Sequence, residues 1–125
     1  MPPRRRTSVA DGRRALDSVA AAGFTGDRAT VGTAVRYTLD ELATRHPGRT
    51  VEVRVPPYGA VQCIEGPVHT RGTPPNVIET DAATWLRLAT GDLTWEQALE
   101  TGVRASGQRA HLDGLLPLLS PTVET

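Results

Sequence analysis

The sequence predicts an α+β fold, and three observations carry that expectation. Val51, Val53 and Val55 alternate with Glu52 and Arg54, the period-two pattern of a half-buried strand. Val31, Val35, Leu39 and Leu42 recur at helical spacing between Arg28 and Arg45. Between Asn76 and Leu119, signals for strand, helix, helix, strand and helix follow one another with hardly a spare loop position.

Taken in order, Met1 to Ser8 holds Pro2-Pro3 and Arg4-Arg5-Arg6 and reads as a disordered basic leader. A single domain is expected over residues 9–120, with a short tail at 121–125. Asp11 through Ala22 places Ala15, Leu16, Val19 and Ala20 on one helical stripe, which Gly23 stops. The helix from Arg28 to Arg45, ended by Pro47-Gly48, is expected to cover the sheet. Thr50 to Pro56 forms a strand, Pro56-Pro57-Tyr58-Gly59 supplies turn chemistry, and Ala60 to Glu65 returns as its antiparallel partner. Val61 and Cys63 are assigned inward, with Ile64 competing from the other face. Gly66 to Pro75 is a loop bearing His69 and Arg71.

The stretch that follows is the most specific. Val77-Ile78 reads as a short strand, and Thr80 or Asp81 can cap a helix running through Leu88-Ala89. Gly91 stands where a helix end wants positive φ. Thr94-Trp95-Glu96-Gln97 fits a capping box for a second helix, to about Glu100. After Gly102, Val103 to Ala105 reads as a strand, and Ser106 is placed to cap a last helix carrying Leu112, Leu115 and Leu116.

Composition narrows function. At 125 residues with 38% hydrophobic content, the chain has room for one modest core. Its formal net charge of zero argues against a whole-domain nucleic-acid or anionic-membrane surface, and the short Arg run has no interleaved aromatic residue for base stacking. All 14 basic residues are Arg, so lysine nucleophiles and Schiff bases are excluded. One cysteine leaves no disulfide framework and no thiol metal cluster. No apolar run approaches transmembrane length, and no apolar signal core follows the basic start, so a cytoplasmic protein is expected.

Polar chemistry is sparse. His46, His69 and His111 match no compact ligand spacing, so no metal or other cofactor is expected. Cys63 on a strand reads as a small buried hydrophobe rather than a nucleophile. Asp40-Glu41 and the Glu96–Glu100 stretch read as solvated helix faces. No serine sits in an elbow motif, and the glycines form no phosphate cradle. His69 and Arg71 are head-group candidates, because Arg takes a carboxylate bidentately; an exposed loop tip is the plainer alternative. The remaining constellation is apolar. Trp85, Leu88, Trp95, Leu99, Leu112, Leu115 and Leu116 face a sheet offering Val53, Val55, Val61 and Cys63. A ligand cavity and a filled core would use these same residues.

Several phrases carry a resemblance. They are Arg54-Val55-Pro56-Pro57-Tyr58-Gly59-Ala60-Val61-Gln62-Cys63, His69-Thr70-Arg71-Gly72-Thr73-Pro74-Pro75-Asn76, the Gly91-Asp92-Leu93-Thr94 turn and the Ala105-Ser106-Gly107 step. From about Ala29 to Leu119 the chain resembles sterol carrier protein-like domains, nearest to the small actinobacterial ones. The later half is also similar to the C-terminal domains of mycothiol-dependent isomerases, where it accompanies a metal-bearing helical domain with no counterpart in this sequence. The resemblance implies a mostly antiparallel sheet of four or five strands with helices on one face, enclosing a cavity for an acyl chain or sterol. It implies non-catalytic binding or carriage of a fatty acid, acyl thioester or similar amphiphile. The cavity candidates are Val53, Val55, Val61, Cys63, Leu88, Trp95, Leu99, Leu112, Leu115 and Leu116. The alternative is an accessory protein-interaction domain whose core is filled by its own side chains.

Overall fold

The computed structural model describes residues 6–67 and 75–119. Among these residues the order is α1 (Val9–Ala21), α2 (Arg28–Arg45), β1 (Val51–Val55), β2 (Gly59–Cys63), β3 (Asn76–Thr80), α3 (Ala82–Thr90), α4 (Trp95–Thr101) and β4 (Val103–Ser106). The fold is α+β, as expected.

The four strands form one open sheet in the order β2-β1-β3-β4. β1 pairs antiparallel with β2 and β3 pairs antiparallel with β4, but the central pair, β1 with β3, is parallel. The sheet is therefore mixed, with two antiparallel pairings around a parallel one. The parallel pair arises because the β1–β2 hairpin occupies one side of β1, and the following connection brings the chain back on the other side. Val53 stands beside Val61 and Ile78 in this register, and Arg54 beside Ala60 and Glu79.

One face of the sheet is covered by helices and the other is open. Val51, Val53, Val55, Cys63 and Ile78 are fully buried on the helical side. On the open side Arg54 pairs with Glu52 at 2.5 Å and Arg104 with Glu79 at 2.8 Å. Strand alternation separated these two sets, as period two requires.

α2 is the central helix: 11 of its 18 residues are buried. Val31, Val35, Leu39 and Leu42 form the expected stripe, while Tyr37 faces α1. A Cβ at Gly12 would lie 2.2 Å from Tyr37 Cγ, so the glycine lets α1 approach α2 at ring contact. Asp27 caps α2 by accepting from Thr30 N–H at 2.9 Å; that bond, then one from the Thr30 hydroxyl, holds its carboxyl below the ordinary range.

Burial of α2 corrects one expectation. Asp40 and Glu41 are not a solvated face; they are 3% and 7% exposed. Each is answered by a guanidinium, because a buried carboxylate without a partner is costly. Arg45 Nε donates to Glu41 at 3.0 Å. Arg6 clamps Asp40, donating its backbone N–H to Oδ2 at 2.9 Å and Nε and Nη2 to Oδ1 at 3.2 and 3.1 Å. Of the expected leader, Arg6 is therefore held on α2 and Ser8 is the N-cap of α1, while residues 1–5, like the tail at 121–125, lie outside the described residues.

The last expected helix does not form. Residues 107–119 are irregular, with Gly107 at φ 100° and Gly114 at φ 83°. Asn76 accepts the Arg109 N–H at 3.0 Å and donates to Thr50 O at 3.0 Å, pinning the segment to β3 and to the entry of β1. A Cβ at residue 107 would lie 2.4 Å from Asn76 Oδ1. Tertiary docking on Asn76 therefore overrides the leucine spacing that suggested a helix.

Candidate functional site

The site is built on the corner between α3 and α4. Asp81 caps α3, accepting from Thr84 N–H at 2.8 Å. Gly91 ends it at φ 85°, where Asp92 and Leu93 N–H both return to Arg87 O. The capping box then starts α4: Gln97 N–H donates to Thr94 Oγ1 at 3.1 Å, and Thr94 N–H to Gln97 Oε1 at 2.9 Å. These two caps fix the four-residue connection Gly91–Thr94 and set Trp95 in the first turn of α4, facing the C-terminal segment.

That segment is held from below. Leu118 and Leu119 N–H donate to Ala89 O at 2.9 and 3.1 Å, and Arg45 Nη1 donates to Leu118 O at 2.5 Å. Between it and the helical corner lies a cleft of about 190 Å³. Leu88, Leu93, Trp95, Leu112, Leu116 and Pro117 supply its apolar walls, and the exposed carboxylates of Glu96 and Asp113 stand at its rim.

Of the sequence-predicted cavity residues, the fold brings Leu88, Trp95, Leu112 and Leu116 together in this cleft. Val53, Val55 and Cys63 are buried in the contiguous core and do not line it. Val61 and Leu115 are partly buried and pack against that core. Leu99 is 46% exposed, whereas Trp95 is 8% exposed. The short α4 buries only Trp95 and Ala98, so its inward face is one residue wide and Leu99 falls outside it. His69 and Arg71 lie outside the described residues.

Leu93 was missed as a wall residue. It occupies the position just before the N-cap, where an apolar side chain commonly packs against the fourth helical residue, here Ala98. That signal was present in the turn.

Cys63 is fully enclosed, and burial pushes its thiol up to about 12. It stays protonated at neutral pH and is no nucleophile as it stands. Among the described residues, no group of three or more His, Cys, Asp or Glu is placed to hold a metal ion. No helix among them is long and apolar enough to cross a membrane.

No curated protein matches the chain. A family model described as bacterial SCP ortholog matches residues 27–118, from the cap of α2 to the strap that closes the cleft. With most of its length inside that match, and with the α+β architecture expected of sterol carrier protein-like domains, the chain belongs to the bacterial SCP ortholog family.

Proposed function

We propose that the protein binds or carries a fatty-acyl or similar amphiphile without chemical turnover, with the apolar end of the ligand in the cleft beside Trp95. The observation that carries this is the apolar lining by Leu88, Trp95, Leu112 and Leu116 in a member of this family.

Size sets the mode of binding. About 190 Å³ is below the roughly 300 Å³ at which small-molecule sites begin. Taking a methylene as close to a water in volume, roughly 30 Å³, the cleft holds the last six or so methylenes of a chain. At about 0.8 kcal/mol each these contribute roughly 5 kcal/mol, a sub-millimolar affinity before ordering costs. Such binding is reversible, as carriage requires. For a chain short enough to bring its head to the rim, Glu96 and Asp113 disfavour a free carboxylate and favour a neutral ester, thioester or glyceride.

The test is Trp95 emission in a Trp85→Phe background, titrated with a monoacylglycerol and with the fatty acid of equal chain length. A saturable shift, stronger for the neutral lipid, is expected. Native mass spectrometry of gently purified protein should retain the same class of ligand. No shift with either lipid and no retained amphiphile would overturn the proposal.

A second reading, an accessory protein-interaction domain, is favoured by Val53, Val55 and Cys63 lying in the contiguous core and away from the cleft. In that case the cleft takes an apolar side chain of a protein partner, and lipid titration leaves Trp95 silent.

A further inference from the structure

A second concavity lies on the opposite end of the chain order, between α1 and α2, and its chemistry is the reverse of the cleft's. Its walls are one helical face from each side: Asp11, Arg14, Ala15 and Ser18 from α1, and Ala29, Thr30, Thr33 and Arg36 from α2. Gly12 and Tyr37 bring the two helices to contact, and this groove of about 620 Å³ runs beside that contact. Small side chains at Ala15 and Ala29 keep it open. Arg6, Thr7 and Ser8 close one end.

Three arginines and one aspartate, Asp11, line the groove; with Asp40 answering Arg6, the local balance is one positive charge, in a protein whose formal net charge is zero. The excess is therefore local. Asp11 is answered by Arg14 at 3.2 Å, which spends one of the five N–H donors on that side chain. Arg6 uses Nε and Nη2 on Asp40, and its Nη1 has no hydrogen-bond partner among the described residues. Arg36 makes no hydrogen bond or ion pair among the described residues, although it is half-buried. Ser8 accepts the Asp11 N–H on its oxygen, so its own proton is left to donate, and the Ser18 hydroxyl makes no hydrogen bond among the described residues.

We propose that this groove binds the phosphate of an anionic ligand, with Arg14 and Arg36 as its principal contacts and Arg6 and the Ser8 hydroxyl completing the donor set. A phosphate presents several acceptor oxygens, which suits guanidiniums approaching from two helices; a carboxylate presents two oxygens and would leave most of these donors unused. The groove is open to solvent, so binding weakens with added salt. The shared chemistry is a phosphoester, whether on a soluble molecule or on a lipid head group.

The probe is inorganic pyrophosphate, titrated at low ionic strength and followed by amide chemical shifts of the full chain. Shifts are expected to concentrate in residues 7–18 and 29–36. Arg14→Gln and Arg36→Gln should each weaken binding about tenfold, the loss of one charge-assisted contact. Arg104→Gln, on the open face of the sheet, should bind as the wild type does. Acetate should give no comparable response. A parallel sedimentation with phosphatidylcholine vesicles containing phosphatidic acid separates the sources. Arg36-dependent pelleting assigns a lipid head group, and pyrophosphate binding without pelleting assigns a soluble phosphoester. Unchanged pyrophosphate affinity in both folded variants, equal affinity for acetate, or no binding in either arm overturns the proposal. None of these outcomes bears on the lipid titration at Trp95, so the two sites are judged separately.

Discussion

The indole N–H of Trp85 donates to the hydroxyl of Thr38 at 2.8 Å, deep between α3 and α2. Both residues are fully buried. Thr38 in turn lies 2.8 Å from Ala34 O and 3.0 Å from Val35 O, so its own proton is spent within α2. The hydroxyl is the polar hinge on which the largest core side chain is oriented. Thr38→Val is therefore expected to cost about 1–3 kcal/mol, because it strands a buried N–H donor. Trp85→Ala should cost about 3–5 kcal/mol, a large share of the stability of so small a domain. Urea midpoints at unchanged m-value measure both, and a Thr38→Val, Trp85→Phe cycle isolates the bond.

Arg6 is expected to matter more than its place in an arginine run suggests. Arg6→Ala removes two charge-assisted bonds from a carboxylate 3% exposed, and leaves only the backbone N–H on Asp40. Because Arg6 itself is 43% exposed, water answers part of the loss, and the expected cost is about 1–2 kcal/mol. Thermal denaturation checks it. Unchanged stability would mean that Asp40 finds another partner.

How much of this could be read from the sequence follows from how local each signal was. The ends of α3 and the start of α4 were legible because Asp81, Gly91 and Thr94 act within three or four residues of themselves, whereas the Asp27 cap of α2 went unread in what looked like plain loop. The inward valines of β1 were legible from period two. Arg6 on Asp40 was not, since 34 residues separate them and nothing near either residue encodes the meeting. The absent last helix failed for the same reason: Asn76 takes the Arg109 N–H from 33 residues away. The parallel β1–β3 pair is a property of chain routing, invisible in either strand. In the cleft, Leu88, Trp95, Leu112 and Leu116 were recognisable as apolar, but their separation from Val53, Val55 and Cys63 needed the irregular path of residues 107–119.

Gly12→Ala should destabilise, although alanine is the better helix former by about 1 kcal/mol. The added methyl would meet three Tyr37 carbons at 2.2–2.5 Å, and separating α1 from α2 costs typically 1–3 kcal/mol. Gly12→Ala should cost less in a Tyr37→Ala background than in the wild type, measured by the same urea midpoints. A neutral or stabilising Gly12→Ala would show that the two helices do not close at this contact.

Cys63 makes stability depend on alkaline pH. Its thiol rises from about 9 to about 12 by burial, so between those values the folded chain holds a proton that the unfolded chain has lost. Stability is unaffected by this group below about pH 9 and falls as pH rises toward 12. Cys63→Ala should be less stable than the wild type at neutral pH, and the gap should narrow above pH 9. Denaturation midpoints across that range measure it, and a pH-independent gap would mean that the thiol ionises freely. Native protein should also resist thiol reagents until unfolded.

The cleft offers a way to separate binding from folding. Leu116 is partly buried on its wall and borders open volume, so Leu116→Phe adds bulk into space rather than into packed side chains. Stability should hold or rise by up to about 1 kcal/mol, since a filled void restores lost contacts. Leu112→Ala, at a fully buried wall position, should instead cost about 2–5 kcal/mol. The two variants change the cleft in opposite senses. If the cleft receives an acyl end, Leu116→Phe abolishes the Trp95 response to monoacylglycerol while the protein stays folded. Leu112→Ala, assayed at a temperature where it remains folded, should accept chains one or two methylenes longer before affinity levels off. Retained lipid binding in Leu116→Phe would place the ligand elsewhere. A destabilised Leu116→Phe would mean that the cleft is closed in solution by the segment from Leu112 to Leu119.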